Sequence, residues 1–227
     1  VKFLRIKLPD DMPITFKAGQ FDFNEEFSAK NWSTGYDSPA LSDGRIIREE
    51  IPNLNTRGMQ GFVFNLRRPY FQDVRVRKAI ALLFDFEWAN SRLFHGAYER
   101  SSSFFGNSEL GAEGLPGDDE LALLEPLREQ LPAEVFGPAY VPPVTDGSGN
   151  IRDQRRQAYE LLQEAGWQIE NDQLVNADGE QLSFEFLLIQ ADFERVLLPF
   201  KRNLASLGID MQLRRIDVSQ YVNRLRS

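Results

Sequence analysis

The sequence predicts an α/β protein, and three observations carry that prediction. Helical and extended patterns alternate through the last third of the chain, the order that layers helices against a sheet. An apolar run over residues 59–66 leads, through the turn NLRRPYF, to an amphipathic helix. Hydrophobic residues make up 42% of the 227, and eighteen residues are Phe, ample for one large core or two modest ones.

The elements follow in chain order. VKFLRIKL, residues 1–8, alternates like a strand, and Pro9-Asp10-Asp11 ends it. In AGQFDFNEEF, residues 18–27, Phe21, Phe23 and Phe27 take odd positions with Asp22 and Asn24 between them, a glycine-punctuated turn entering an extended segment. NWSTGYDSPALSDG, 31–44, is loop-like with room for a short helix. RIIREEI, 45–51, suggests another strand; PNLNTRG is a loop; MQGFVFNL, 59–66, is a buried strand by length and content.

Asp73 reads as an N-cap. At about 100° per residue, Val76, Ala79, Ile80, Leu83 and Phe84 share one arc, leaving Arg75, Arg77 and Lys78 to a polar arc that serves solubility. Asp85 caps a second helix through Trp88 and Leu93, stopped at Gly96. Residues 101–117 form a long loop, and DDELALLEPLREQL, 118–131, a short acidic helix with Pro126 blurring its middle. FGPAYVPPVTDGSGN, 136–150, is a connector. A helix over 151–166 ends at Gly166, a hairpin over 167–189 turns at Asp178-Gly179, and a helix over 191–208 ends at Gly208. IDMQLRRID, 209–217, alternates as a strand, and Asp217 caps a final helix.

Several functions are disfavoured at once. The net charge of −8 argues against general nucleic-acid affinity, which needs a basic surface. No run approaches eighteen apolar residues, as a spanning helix requires. No leader is read at Val1, and a chain that starts without Met reads as a processed form or an excised piece. With no Cys there are no disulfides, thiolates or zinc–sulfur sites, and with His95 as the one histidine a multi-histidine metal centre cannot form. GxSxG, Walker A and GxGxxG patterns are absent.

DGSGNIRD, 146–153, has a faint calcium-loop pattern, but Ile151 and Gln157 stand where such a loop needs Gly and Glu, so it reads as a turn. Eight acidic residues against one Arg give residues 108–134 a local charge of −7, a solvated face. His95 sits before Gly96 at a helix end, where an imidazole suits the dipole; a ligand contact is the alternative. Five basic residues fall within twelve positions, and of these Arg67 and Arg68 lie in a turn from which their planar donors could serve a ligand carboxylate.

FNLRRPYFQDVRVRKAIALLFDFE, residues 64–87, resembles the signature segment of the family 5 extracellular solute-binding proteins, which serve peptide and nickel ABC importers. There a strand ending in Asn and a Pro-Phe turn precede Asp-x-Arg-Val-Arg and an Ala-rich helix ending in Asp. Here Phe64-Asn65, Pro69-Tyr70-Phe71, Asp73 to Arg77 and Ala79 to Asp85 take those places. FKAGQFDF is similar to the family's Gly-x-hydrophobic-Asp segment, and GWQIENDQLVNADGEQLSFEFLLI with the later LGIDMQL to its C-terminal-lobe pattern. The resemblance covers nearly the whole chain and is closest to the family's oligopeptide-binding members, through NWSTGYDSPA and PPVTDGSGNIRD.

The resemblance implies a lobe of the type II periplasmic binding proteins, a mixed sheet with flanking helices, from a two-lobed receptor that closes on ligand by a hinge. Residues 1–55 would lead from the inter-lobe region, and 56–227 would be the C-terminal lobe, stopping before the return to the first lobe. It implies a periplasmic monomer with no catalysis, cofactor, metal or nucleic-acid partner. Such a protein captures oligopeptides or peptide conjugates and delivers them to ABC permease subunits at the inner membrane.

Peptides in such receptors are held largely by their backbones. The stretch Gln60-Gly61-Phe62-Val63 takes the position that contacts peptide, and Gly61 suits close backbone approach, a bulge being the bland alternative. Phe94-His95, Asp192 to Glu194, Val218 and Tyr221 fall near family ligand positions. Two other functions stand beside this one. A carboxylate-dependent hydrolase would show turnover lost with one acid, and a sensor or regulatory domain on the same lobe would neighbour a regulator in place of permeases.

Overall fold

Most helices in this chain start beside a proline or an aspartate, and the computed structural model, which describes residues 11–226, shows where. In order they are α1 (Met12–Lys17), α2 (Pro39–Ser42), α3 (Pro69–Gln72), α4 (Val74–Leu82), α5 (Phe86–Leu93), α6 (Asp118–Leu124), α7 (Arg152–Glu164), α8 (Glu194–Ala205) and α9 (Val218–Arg226). The strands are β1 (Gln168–Glu170), β2 (Gln173–Val175), β3 (Ser183–Leu188) and β4 (Asp210–Arg215). The strand expected over residues 1–8 lies outside the described residues. The chain divides into two compact units: one runs to Gly61 and includes Phe94–Pro142, the other holds Phe62–Leu93 and continues from Pro143.

The first unit is built mostly of turns. Gly19, at φ +68°, ends α1, and the loop over 31–44 contains a π-helical turn at Asn31–Gly35 followed by α2. Tyr36 is its best-buried aromatic, with the Phe16 ring edge-on at 5.8 Å. The Tyr36 hydroxyl donates to Glu26 Oε2 at 2.8 Å and accepts from Asn24 Nδ2 at 2.6 Å. Burial, with the Glu26 carboxylate beside it, pushes that phenol up to about 12. The Asn107 side chain ties the loop after 101 to the Asn55 carbonyl at 2.8 Å. Pro126 converts the end of α6 into a 3₁₀ turn over Glu125–Gln130, as a missing N–H dictates.

The strand expected over 45–51 does not form: Ile47 and Ile51 are 83% and 74% exposed in coil. Nor is 59–66 a buried strand; it is coil that turns at Leu66, largely exposed and paired with no described strand. Both readings rested on residue type alone, and a strand also needs a neighbour to complete its hydrogen bonds.

The second unit carries the core. Asp73 caps α4 by accepting from the Arg75 amide at 2.8 Å. Val76, Ala79, Ile80 and Leu83 are buried as the helical period required, and α4 packs on α7. Arg75 and Arg77 are more than a wet face. Arg75 forks onto the Asp73 carboxylate and donates to the Glu164 carbonyl at 2.6 Å, satisfying the C-terminal end of α7. Arg77 donates to the carbonyls of Phe71 and Gln72 at 2.6 and 2.9 Å, locking the turn before α4.

Gly166, at φ +87°, ends α7. The tight hairpin then comes earlier than expected. β1 and β2 pair antiparallel through Asn171 and Asp172, both left-handed, as the two central residues of a type I′ turn must be. At Asp178-Gly179 there is a second turn, closed by Asn176 N–H to the Glu180 carbonyl, but it leads only to a single Val175–Gln181 bridge. β3 pairs instead with β4, in parallel, from Ser183↔Asp210 to Leu188↔Arg215, with α8 as the crossover. Leu162, Leu197, Leu204, Ile209 and Met211 are fully buried around this pair, each burial stabilising by about 1.5–3 kcal/mol. Gly208 (φ +77°) lies so close to β2 that a Cβ there would sit 2.5 Å from Leu174 N.

Candidate functional site

Two parallel strands send their carboxyl ends to the same edge, so the helices that follow both begin there. In open α/β sheets that edge is where ligands bind. The Leu188 carbonyl accepts from the Ile216 amide at 3.0 Å, carrying the β3–β4 ladder to its last residue. Beyond it, β3 passes through a 3₁₀ turn at Ala191–Phe193 into α8, and β4 passes through Asp217 into α9. Asp217 Oδ1 accepts from the Gln220 amide at 2.9 Å, the cap expected of it.

Four of the predicted site residues meet at this edge. Asp192 is exposed in the 3₁₀ turn. Glu194 opens α8, half-buried, and its Oε1 lies 3.7 Å from Nη1 of Arg215, the last residue of β4. Val218 opens α9 and is exposed, with Tyr221 half-buried one turn on. Sequence reasoning passed over a charged group beside them: Glu185 of β3 takes Arg214 of β4 at 3.0 Å and Arg224 of α9 at 3.1 Å. The alternation in DMQLRR placed Arg214 opposite Arg215 in facing, which was the available signal.

Val63, Arg67 and Arg68 lie on another segment of the same unit. Phe62 stands edge-on to Phe186 of β3 at 4.9 Å and to Phe84 at 5.7 Å. Phe64 contacts Phe71 at 5.0 Å, which contacts Phe184 of β3 at 5.3 Å. The two rings anchor the segment inward, and Val63 between them is 95% exposed. This is the in–out alternation of a strand, with no ladder partner among the described residues. Arg67 turns back onto Asn65, its amide 3.1 Å from Oδ1, and Arg68 is exposed just before α3.

Gln60, Gly61 and His95 belong to the first unit. Gln60 and Gly61 are exposed, and a Cβ on Gly61 would meet only the Met59 methyl, at 3.9 Å. His95 is exposed and left-handed at φ +55°, followed by Gly96 at φ +73°. Among the described residues no cluster of three or more acids or histidines could hold a metal ion, and no helix is long and apolar enough to cross a membrane. What the arrangement offers is exposed main chain beside charged and aromatic side chains, the material of recognition.

Residues 1–227 match the model of the bacterial extracellular solute-binding proteins, family 5 middle region. The chain is 44% identical over 215 residues to a probable peptide-binding protein, YejA, of Agrobacterium fabrum, covering 93% of this chain and 35% of that protein. It is 46% identical over 213 residues to the uncharacterized YejA of Escherichia coli K12, with the same two coverages. The chain thus spans about a third of the length of the curated relatives it matches. Among solved structures, the oligopeptide-binding protein AppA of Bacillus subtilis, in complex with a nonapeptide, shares the fold. Its TM-score is 0.59 at 18% identity, over 97% of this chain and 36% of that one.

Proposed function

Because the chain belongs to the bacterial extracellular solute-binding proteins of family 5, we propose that it forms part of the cargo-binding surface of a periplasmic ABC-importer receptor. The cargo is an oligopeptide or peptide conjugate, and the receptor, acting as a monomer without catalysis, hands it to permease subunits at the inner membrane. The observation that carries this reading is the segment Phe62–Phe64, whose two inward rings turn Val63 outward while its backbone has no strand partner among the described residues. An extended peptide added there gains main-chain hydrogen bonds that do not depend on its side chains. The names of the relatives support the choice of cargo: one is a probable peptide-binding protein, and AppA was solved with a nonapeptide.

In this reading Gln60, Gly61 and Val63 supply backbone, and Arg67 and Arg68 offer forks for a carboxylate. His95, Asp192, Glu194, Val218 and Tyr221 shape the side-chain pockets. Residues 1–55 lead into a lobe formed by 56–227.

Calorimetric titration of the intact receptor with a diverse set of short peptides tests the proposal. Saturable binding is expected. Val63→Pro, which deletes one main-chain donor, should weaken it roughly tenfold, the worth of one hydrogen bond, while Val63→Ala leaves it nearly unchanged. Failure of every peptide to bind would overturn the reading.

A further inference from the structure

Away from that segment and edge, the second unit holds a cleft of about 350 Å³ between α5, α8 and the turn at Ser148-Gly149. Four large apolar side chains line it, Phe84, Trp88, Val196 and Phe200. Two groups of opposite charge also line it, Asp85 and Arg202.

Asp85 is only 8% exposed. Its Oδ1 accepts from the Trp88 amide at 3.1 Å and from the Thr145 hydroxyl at 2.5 Å. Its Oδ2 is buried with no hydrogen-bond partner among the described residues. A carboxylate oxygen taken from water and left bare is costly, so it marks a place where a donor belongs. Arg202 is exposed, and its guanidinium has no described partner. The other polar groups are already engaged: Asn203 donates to the Leu83 carbonyl at 2.9 Å and the Ser148 hydroxyl to Asp146 at 2.6 Å. The loop side is fixed by Gly149, at φ +84°, where a Cβ would press to 3.1 Å on the Trp88 ring.

A buried carboxylate oxygen and a guanidinium, neither with a partner among the described residues, and an aromatic wall around one small cleft complement a zwitterion with an apolar side chain. We propose that this cleft binds a free apolar α-amino acid. Its ammonium meets the Asp85 carboxylate beside the Trp88 ring, and its carboxylate meets Arg202. The site uses none of the residues assigned to peptide above and does not rest on that assignment.

The test is titration of the intact protein with L-leucine, N-acetyl-L-leucine and L-leucinamide, followed by calorimetry and tryptophan fluorescence. Asp85→Asn retains an oxygen for the α5 cap, and Arg202→Met alters an exposed side chain, so the second variant decides the matter should the first fail to fold. Expected is saturable binding of L-leucine alone, weakened about tenfold or more by either variant, as for loss of a charge-assisted hydrogen bond. Binding of the short-peptide set by both variants should be unchanged. No saturable leucine signal, equal binding of the acetylated or amidated probe, or full leucine binding by the folded variants would each overturn the proposal. A water filling the cleft would give the first of these.

Discussion

The two units differ less in what they contain than in how it is arranged. The second buries Leu83, Leu162, Leu197, Leu204 and Met211 completely. The first leaves Ile47, Leu54 and Phe104 at 83%, 85% and 74% exposure. Apolar residues are plentiful in both. In the second unit they recur at helical or strand period on elements whose faces meet, so each covers the next. In the first they sit mostly on turns and coil, and polar ties do much of the joining: Tyr36, beside the Phe16 ring, to Glu26 and Asn24, and Asn107 to the Asn55 carbonyl. Apolar content alone therefore does not make a core.

The contrast is open to attack, most severely in the second unit. Leu197→Ala should lower stability by about 2–5 kcal/mol in urea unfolding, because a fully buried leucine leaves a cavity. A loss well below that would mean the core is loosely filled. A smaller effect, about 1 kcal/mol, is expected from Asp73→Ala, which removes the α4 cap. Here pH sharpens the comparison. The Arg75 side chain hydrogen-bonds the Asp73 carboxylate and holds it below its usual 3.8. Its folded value is thus the depressed one, so the ionic contribution is full above that usual value and fades as pH falls through the folded one. Parent and variant should converge in acid; a gap that persists would show the cap owes nothing to charge. Smallest is Ile47→Ser in the first unit, expected within about 0.5 kcal/mol by the same unfolding measurement. A larger loss would reveal packing around Ile47 and break the contrast.

Much of the second unit was legible beforehand because its signals are local. Asp73, Asp85 and Asp217 each accept the amide their spacing promised. Gly166 and Gly208 take the left-handed conformation at helix ends. The misses are contacts whose other half lies far away or elsewhere. RIIREEI and MQGFVFNL have strand chemistry without a described strand to pair with. Arg75 reads as solvated until Glu164 arrives beside it. One miss was readable: Asn171-Asp172 carries two residue types that tolerate the left-handed region, between runs that alternate. The candidate site divides the same way. Its resemblance-derived residues at the β3–β4 edge fall together because parallel strands share an end. The Asp85 cleft depends on Thr145, sixty positions away, which no pattern joins to it.

That the second unit is assembled from two separated stretches of chain has a consequence for synthesis. Arg75 waits 89 positions for Glu164, and Leu83 waits 120 for Asn203. At roughly 5–20 residues per second a ribosome leaves the greasy side of α4 uncovered for several seconds before α7 emerges. The residues translated in that interval include the stretch with a net charge of −7, so the nascent polypeptide carries its own electrostatic guard against clumping while it waits.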